Sequence, residues 1–196
     1  MRELVYFVAV SVDGYIAGPD DEFGDFVFDG DHMDAINAEF GETVPTHIAE
    51  QFGIVQDQGR FGTVLMGANT YGVGLPGAPS PYRHLEQIVF AHRVFDEAAA
   101  EGVEFCREAP AGRVRRLKAE STSGDIWLCG GADLAAQLAG EIDRLVLKRH
   151  PVLFGAGKPL FASAGPLAYA PERWARVRCA AFDSGVVVEE YVRRQD

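Results

Sequence analysis

The apolar residues of this chain fall in short unbroken runs rather than in strict alternation. Val5–Val10 is continuously apolar, and similar runs recur at Thr63–Met66, Ile88–Ala91 and Ile126–Cys129. A strand that reads this way is covered on both faces, as central parallel strands are. Between the runs, polar and apolar positions spaced for helices predict Asp31–Phe40, Thr46–Phe52, Arg113–Ala119 and Ala132–Ala139, with a turn near Tyr82–Glu86. Strand–helix alternation of this kind builds an α/β sheet flanked by helices. After Ile142 the texture changes to Leu145–Leu147, Val152–Leu153, Val177–Phe182 and Val186–Val192, joined by turns too short for crossover helices. The mainly parallel sheet is therefore expected to end in antiparallel strands. The Gly- and Pro-rich stretch Gly72–Pro81 is short enough to be a loop, so residues 1–196 are expected to form a single domain.

Composition narrows the function. A chain of 196 residues can bury about 70% of its unfolded surface without a metal or a disulfide. No uncharged apolar run approaches the roughly 18 residues that span a bilayer, and Met1-Arg2-Glu3 lacks the basic lead of a signal peptide, so a cytoplasmic protein with no membrane partner is expected. Cys106, Cys129 and Cys179 lie outside any C-x-x-C spacing, and the five histidines are scattered, so no metal site is expected. A net charge of −11 repels a phosphate backbone, and the basic clusters Arg113–Lys118 and Arg173–Arg178 lack interleaved aromatics, which argues against nucleic acid. Motifs of P-loop kinases, zincins and α/β-hydrolases are absent.

Chemistry concentrates where strands end. In Ile126-Trp127-Leu128-Cys129-Gly130-Gly131-Ala132-Asp133 an apolar strand passes through two glycines into a helix, so backbone N–H groups can approach a pyrophosphate closely. A plain tight turn explains the same dipeptide, and Asp133 would sit awkwardly beside phosphate. Met66-Gly67-Ala68-Asn69-Thr70-Tyr71 is a second such junction, whose Asn69 and Thr70 side chains can bond a phosphate or cap the helix. Phe90-Ala91-His92-Arg93 is a third. Endings of this kind on one sheet line one crevice, the usual ligand site of an open α/β protein. Ser11-Val12-Asp13-Gly14-Tyr15-Ile16-Ala17 follows the first strand as a turn or a lid.

In order and spacing these segments, with Ile142-Asp143-Arg144-Leu145 and Pro151-Val152-Leu153-Phe154-Gly155-Ala156-Gly157, resemble the dihydrofolate-reductase-like superfamily, in the branch similar to the reductase domain of bifunctional riboflavin-biosynthesis enzymes. The resemblance implies hydride transfer from NADPH to a small heterocycle, pterin- or folate-like or a flavin-precursor pyrimidine. It implies that Gly67, Asn69 and Thr70 contact phosphates on the adenosine side, that Gly130, Gly131 and Ala132 meet the pyrophosphate, and that Ala9 and Ile16 flank the nicotinamide. Ala91 and His92 would border the adenine ribose, with Arg93 close by. The family commonly carries Arg where this chain has Ala68; without a substitute cation, for which Arg93 is the candidate, preference would relax toward NADH or cofactor binding would be lost.

The proton donor is not defined by the resemblance. Asp25, Asp29, Asp31, Asp34, Glu39, Glu42 and Glu50 crowd the region before residue 60, and Asp31, at an expected N-cap, and Glu50, near His47, are the leading candidates. Phe23, Phe26 and Phe28 either wall a substrate pocket or pack the core. The competing function class is a non-catalytic nucleotide or small-molecule binding module on the same fold. The antiparallel C-terminal strands, with Phe154, Leu160 and Phe161, suggest a homodimer.

Overall fold

The first apolar run lies in the middle of the sheet. In the computed structural model, which describes residues 1–162 and 171–194, the elements in chain order are β1 (Leu4–Val10), β2 (Tyr15–Ala17), α1 (Asp31–Phe40), α2 (Thr46–Phe52), β3 (Phe61–Gly67), α3 (Ala68–Gly72), β4 (Glu86–Phe90), β5 (Val103–Cys106), α4 (Pro110–Ala119), β6 (Asp125–Gly130), α5 (Ala132–Gln137), β7 (Arg144–Arg149), β8 (Lys158–Pro159), β9 (Trp174–Ala181) and β10 (Val187–Arg193). Eight strands form one sheet in the order β5-β4-β3-β6-β1-β7-β10-β9. The first six are parallel; β10 runs antiparallel to β7 and β9 antiparallel to β10. This is the dihydrofolate-reductase-like arrangement, mainly parallel with an antiparallel C-terminal edge.

Alternation along β1 splits the core into two layers. Leu4 and Tyr6 point to one face, where Leu65, Ile88, Leu128 and Leu145 meet Val114 and Leu117 of α4 and Leu134 and Leu138 at α5. Val5 and Phe7 point to the other, where Val64, Met66, Val89, Trp127 and Val146 pack beneath Ile36 and Phe40 of α1. Both faces being covered is why the strands read as unbroken apolar runs.

The helices Asp31–Phe40 and Thr46–Phe52 fall where the sequence places them. Other expectations are corrected. Strand β5 was not anticipated; it is an edge strand of four residues whose Glu104 faces out to Arg113. Val152–Leu153 forms no strand: Leu153 is exposed, and the Val152 carbonyl accepts the Val12 N–H at 2.9 Å. The helix expected over Ala132–Ala139 stops at Gln137, with a 3-10 turn at Ala139–Glu141. Phe154, Leu160 and Phe161 make contacts within the chain: Phe154 packs on Phe26, Phe161 on Tyr6, and Leu160 on the first core layer. Each of the three stays half-buried.

Candidate functional site

The parallel strands end in a row. Along the sheet, Ala91 after β4, Gly67 on β3, Gly130 on β6, Ala9 on β1 and Lys148 on β7 stand side by side; at about 4.8 Å per strand the row is about 19 Å long. At its centre two glycine junctions face each other. A Cβ on Gly67 would stand 3.4 Å from the Gly131 amide nitrogen and 3.5 Å from the Gly130 carbonyl oxygen, and one on Gly131 would stand 3.2 Å from the Thr70 hydroxyl. Gly130 has a φ of +136°, which residues with a Cβ rarely adopt, and the Gly130–Gly131 peptide is cis. Bare backbone and the Thr70 hydroxyl therefore line the middle of the row. Helices α3 and α5 run only five and six residues, so close backbone approach, rather than a helix dipole, is what this junction offers an anion.

Arg93 reaches this centre from the neighbouring junction. Its guanidinium donates to the Ala68 carbonyl at 2.7 Å and lies over the Phe95 ring at 4.7 Å, and a Cβ on Gly72 would come within 2.8 Å of it. A cation thus stands beside α3, the helix that begins at Ala68. Asn69 and His92 are exposed, whereas Ala91 and Ala132 are buried and act through backbone. Ile16 lies on β2, which pairs with β8 as a small separate sheet. The neighbouring Asp13 clasps that sheet: its carboxylate accepts the Ser11 hydroxyl at 2.6 Å and the N–H groups of Gly155 at 2.7 Å and Phe154 at 3.2 Å, which hold it down to about 2. The Asp-Gly turn is a structural clasp.

The two carboxylates expected to donate a proton are otherwise engaged. Asp31 is the first residue of α1 and not its N-cap, which is Gly30. Its carboxylate accepts the backbone N–H groups of Asp183 at 2.8 Å and Ser184 at 3.1 Å, which lower its pKa and favour the ionised form. Glu50 lies exposed on α2, 3.3 Å from Arg83. Glu42 is buried and its pKa is raised by burial, but it accepts the Arg60 N–H at the amino end of β3, the far end of the strand from the glycine row. None of the three joins the row.

Other side chains on the α1 face do approach it. Val27 is clamped between two histidines: its N–H donates to His150 Nδ1 at 3.1 Å, and its carbonyl lies 3.1 Å from His32 Nε2, which must therefore be the protonated nitrogen. Burial, then the Lys148 charge, then His32, hold His150 down at about 4. Lys148 stands beside Ala9 in register, with its ammonium 4.3 Å from the centre of the Phe7 ring. Burial lowers it to about 8. The Cys129 thiol, pushed up to about 11 by burial, lies near both Lys148 and Tyr82. Phe26 packs on His150 below this group, while Phe23 and Phe28 stay exposed and meet each other at 6.3 Å.

Residues 2–188 match the model of the RibD C-terminal domain. The chain belongs to that family. The uncharacterised protein YwjB of Bacillus subtilis is 32% identical over 166 residues, covering 82% of this chain and 83% of its own. Among solved structures, a diaminohydroxyphosphoribosylaminopyrimidine deaminase/5-amino-6-(5-phosphoribosylamino)uracil reductase from Thermotoga maritima superposes with a TM-score of 0.64 at 15% identity, over 98% of this chain and 57% of that one. A pyrimidine reductase-like protein from Corynebacterium diphtheriae gives 0.62 at 13% identity, over 100% and 93%. The structural likeness supports the shared fold of the RibD C-terminal domain family. Among the described residues of this RibD C-terminal domain no helix is long and apolar enough to cross a membrane, and no group of three or more His, Cys, Asp or Glu side chains converges as a metal site.

Sequence reasoning missed Lys148, Tyr82, Cys129 and the histidine clamp. One signal for Lys148 was present: in Arg144-Leu145-Val146-Leu147-Lys148 the period-2 phase puts Lys148 on the same face as the fully buried Val146.

Proposed function

We propose that this RibD C-terminal domain protein is a reductase that binds a reduced nicotinamide dinucleotide along the strand-end row. Its acceptor would be the C=N or C=O group of a small heterocycle, pterin- or folate-like or a flavin-precursor pyrimidine. The observation that carries this reading is the cradle at Gly67, Thr70, Gly130 and Gly131, where a Cβ at either Gly67 or Gly131 would narrow the space at 3.2–3.4 Å from its neighbours. The uracil reductase named among the structural relatives supports hydride chemistry on this fold.

When bound, the reduced nicotinamide supplies the hydride. Backbone N–H groups of the cradle would hold its pyrophosphate, and backbone at Ala9 and Ile16 would flank the nicotinamide. Arg93 supplies the cation that Ala68 does not. A charge-assisted phosphate contact contributes about 1.5–3 kcal/mol, or roughly ten- to a hundredfold in affinity, so Arg93 favours NADPH over NADH. Titrating the protein with NADPH and NADH while following nicotinamide fluorescence tests this. Binding of NADPH is expected, with the preference lost in Arg93→Ala; no binding of either dinucleotide below about 1 mM overturns the reading. Ala68 itself favours a second reading, a binding module without turnover, which NADPH binding without oxidation across pterin and pyrimidine acceptors would support.

A further inference from the structure

Of the three lysines in the chain, Lys118 pairs with Asp143 and Lys158 with Asp21. Lys148 has neither an ion pair nor a hydrogen bond among the described residues; its ammonium rests on the Phe7 ring at 4.3 Å. A long cationic side chain placed on an apolar face without a carboxylate is costly to keep and is the kind of group a bound acceptor would satisfy. Its position is specific as well. It lies beside Ala9, on the last parallel strand of the row and on the α1 face.

We propose that Lys148 is the acceptor-side residue of this site, hydrogen-bonding and protonating the carbonyl oxygen or imine nitrogen of a cyclic substrate. This rests on the reductase reading above. As the acceptor carbon gains a hydride from the reduced nicotinamide, the C=O or C=N π pair moves to the heteroatom. That atom takes a proton from the Lys148 ammonium, and water returns one to the amine. The groups around Lys148 suit this role. The Cys129 thiol on β6 and the Tyr82 hydroxyl before β4 are held neutral by burial. His150 on the same strand is held neutral and has its Nδ1 occupied by the Val27 N–H, and His32 of α1 bonds the Val27 carbonyl. On β10, Val188 is the register partner, and Glu190 is taken up by Arg60 and Arg144. Lys148 is therefore the donor available to an acceptor. A cationic substrate would be repelled, and a neutral or anionic one favoured.

The test uses the full chain with lysine labelled at 13Cε, in which only three side chains give signals, and pteridine-2,4-dione as the probe. Lys148→Met identifies the Lys148 signal, and Lys148→Arg keeps the charge. NADPH affinity is read in parallel by nicotinamide fluorescence; its absence in the unaltered protein would strike the reductase reading, not this one. With the oxidised dinucleotide bound, the probe should shift the Lys148 signal, and its affinity should fall at least about tenfold in Lys148→Met and recover in part in Lys148→Arg. A probe that binds without moving that signal, equal affinity in Lys148→Met, or no probe binding below about 1 mM with dinucleotide bound would overturn the proposal.

Discussion

The histidine clamp makes stability depend on pH in a way that can be worked from the structure. His150 is held at about 4 in the fold and returns to about 6.5 when the chain unfolds. Its folded pKa is the lower one, so between the two values the unfolded chain binds the extra proton. Stability from this group is therefore fully present above pH 6.5, declines as pH falls through the window and is lost below about 4. At 1.36 kcal/mol per unit the full shift corresponds to about 3 kcal/mol, and roughly 2 kcal/mol is expected once partial solvent screening is allowed for. The molecular event is simple: protonating Nδ1 turns the acceptor of the Val27 N–H into a second donor facing it. His150→Asn tests this, because the amide oxygen can take the place of Nδ1 and does not titrate. Urea unfolding followed by tryptophan fluorescence at several pH values from 7.5 to 4 should show the original protein losing about 2 kcal/mol more than the variant over that range. Since the Lys148 charge is the second cause of the shift, Lys148→Met should shrink the difference. Parallel stability curves for the original and His150→Asn proteins would refute the clamp as a titrating element.

Three further outcomes follow from particular contacts. Gly131→Ala places a Cβ 3.2 Å from the Thr70 hydroxyl, so the unfolding free energy in urea should change by less than about 1 kcal/mol while NADPH affinity falls about tenfold or more; unchanged affinity by nicotinamide fluorescence would refute the cradle. Glu190, nearly buried, accepts from Arg60 and Arg144 at 3.0 Å each, so Glu190→Ala should destabilise by about 2–3 kcal/mol in urea and Glu190→Gln by about 1 kcal/mol; a loss under about 0.5 kcal/mol for the alanine variant would show that the network contributes little. The outer edge of β9 is long and exposed, with Val177 at 55%, and light scattering is expected to give twice the monomer mass; a monomer at all concentrations would remove β9 as an interface.

What could be read from the sequence was what depends on neighbours in the chain. The unbroken runs at Val5–Val10 and Ile126–Cys129 announced strands covered on both faces, and the glycine junctions at Gly67 and Gly130–Gly131 announced close backbone approach, because glycine is demanded by local geometry. Strand β5 escaped because four residues with one outward glutamate carry too little pattern. The candidate proton donors escaped for a different reason. Asp31 is silenced by amides 152 and 153 residues away, and the isolation of Lys148 depends on Phe7 and Cys129 arriving from two other strands. Neither fact has a local trace, apart from the phase that puts Lys148 in line with Val146.

The charge of the molecule gives these two cations their significance. In a chain of net charge −11, most arginines and lysines among the described residues are neutralised by a carboxylate, including those flanking the strands' amino ends, Arg2, Arg60, Lys118 and Arg144. Arg93 and Lys148 are exceptions, and they stand toward opposite ends of the strand-end row, one against the Ala68 carbonyl and Phe95, the other against Phe7. Packing each cation on an aromatic ring contributes about 0.5–2 kcal/mol and leaves its N–H groups free to turn toward a ligand. If a dinucleotide lies along this ledge as proposed, the two points without carboxylates set its polarity: phosphate toward Arg93, and a neutral or electron-rich acceptor toward Lys148.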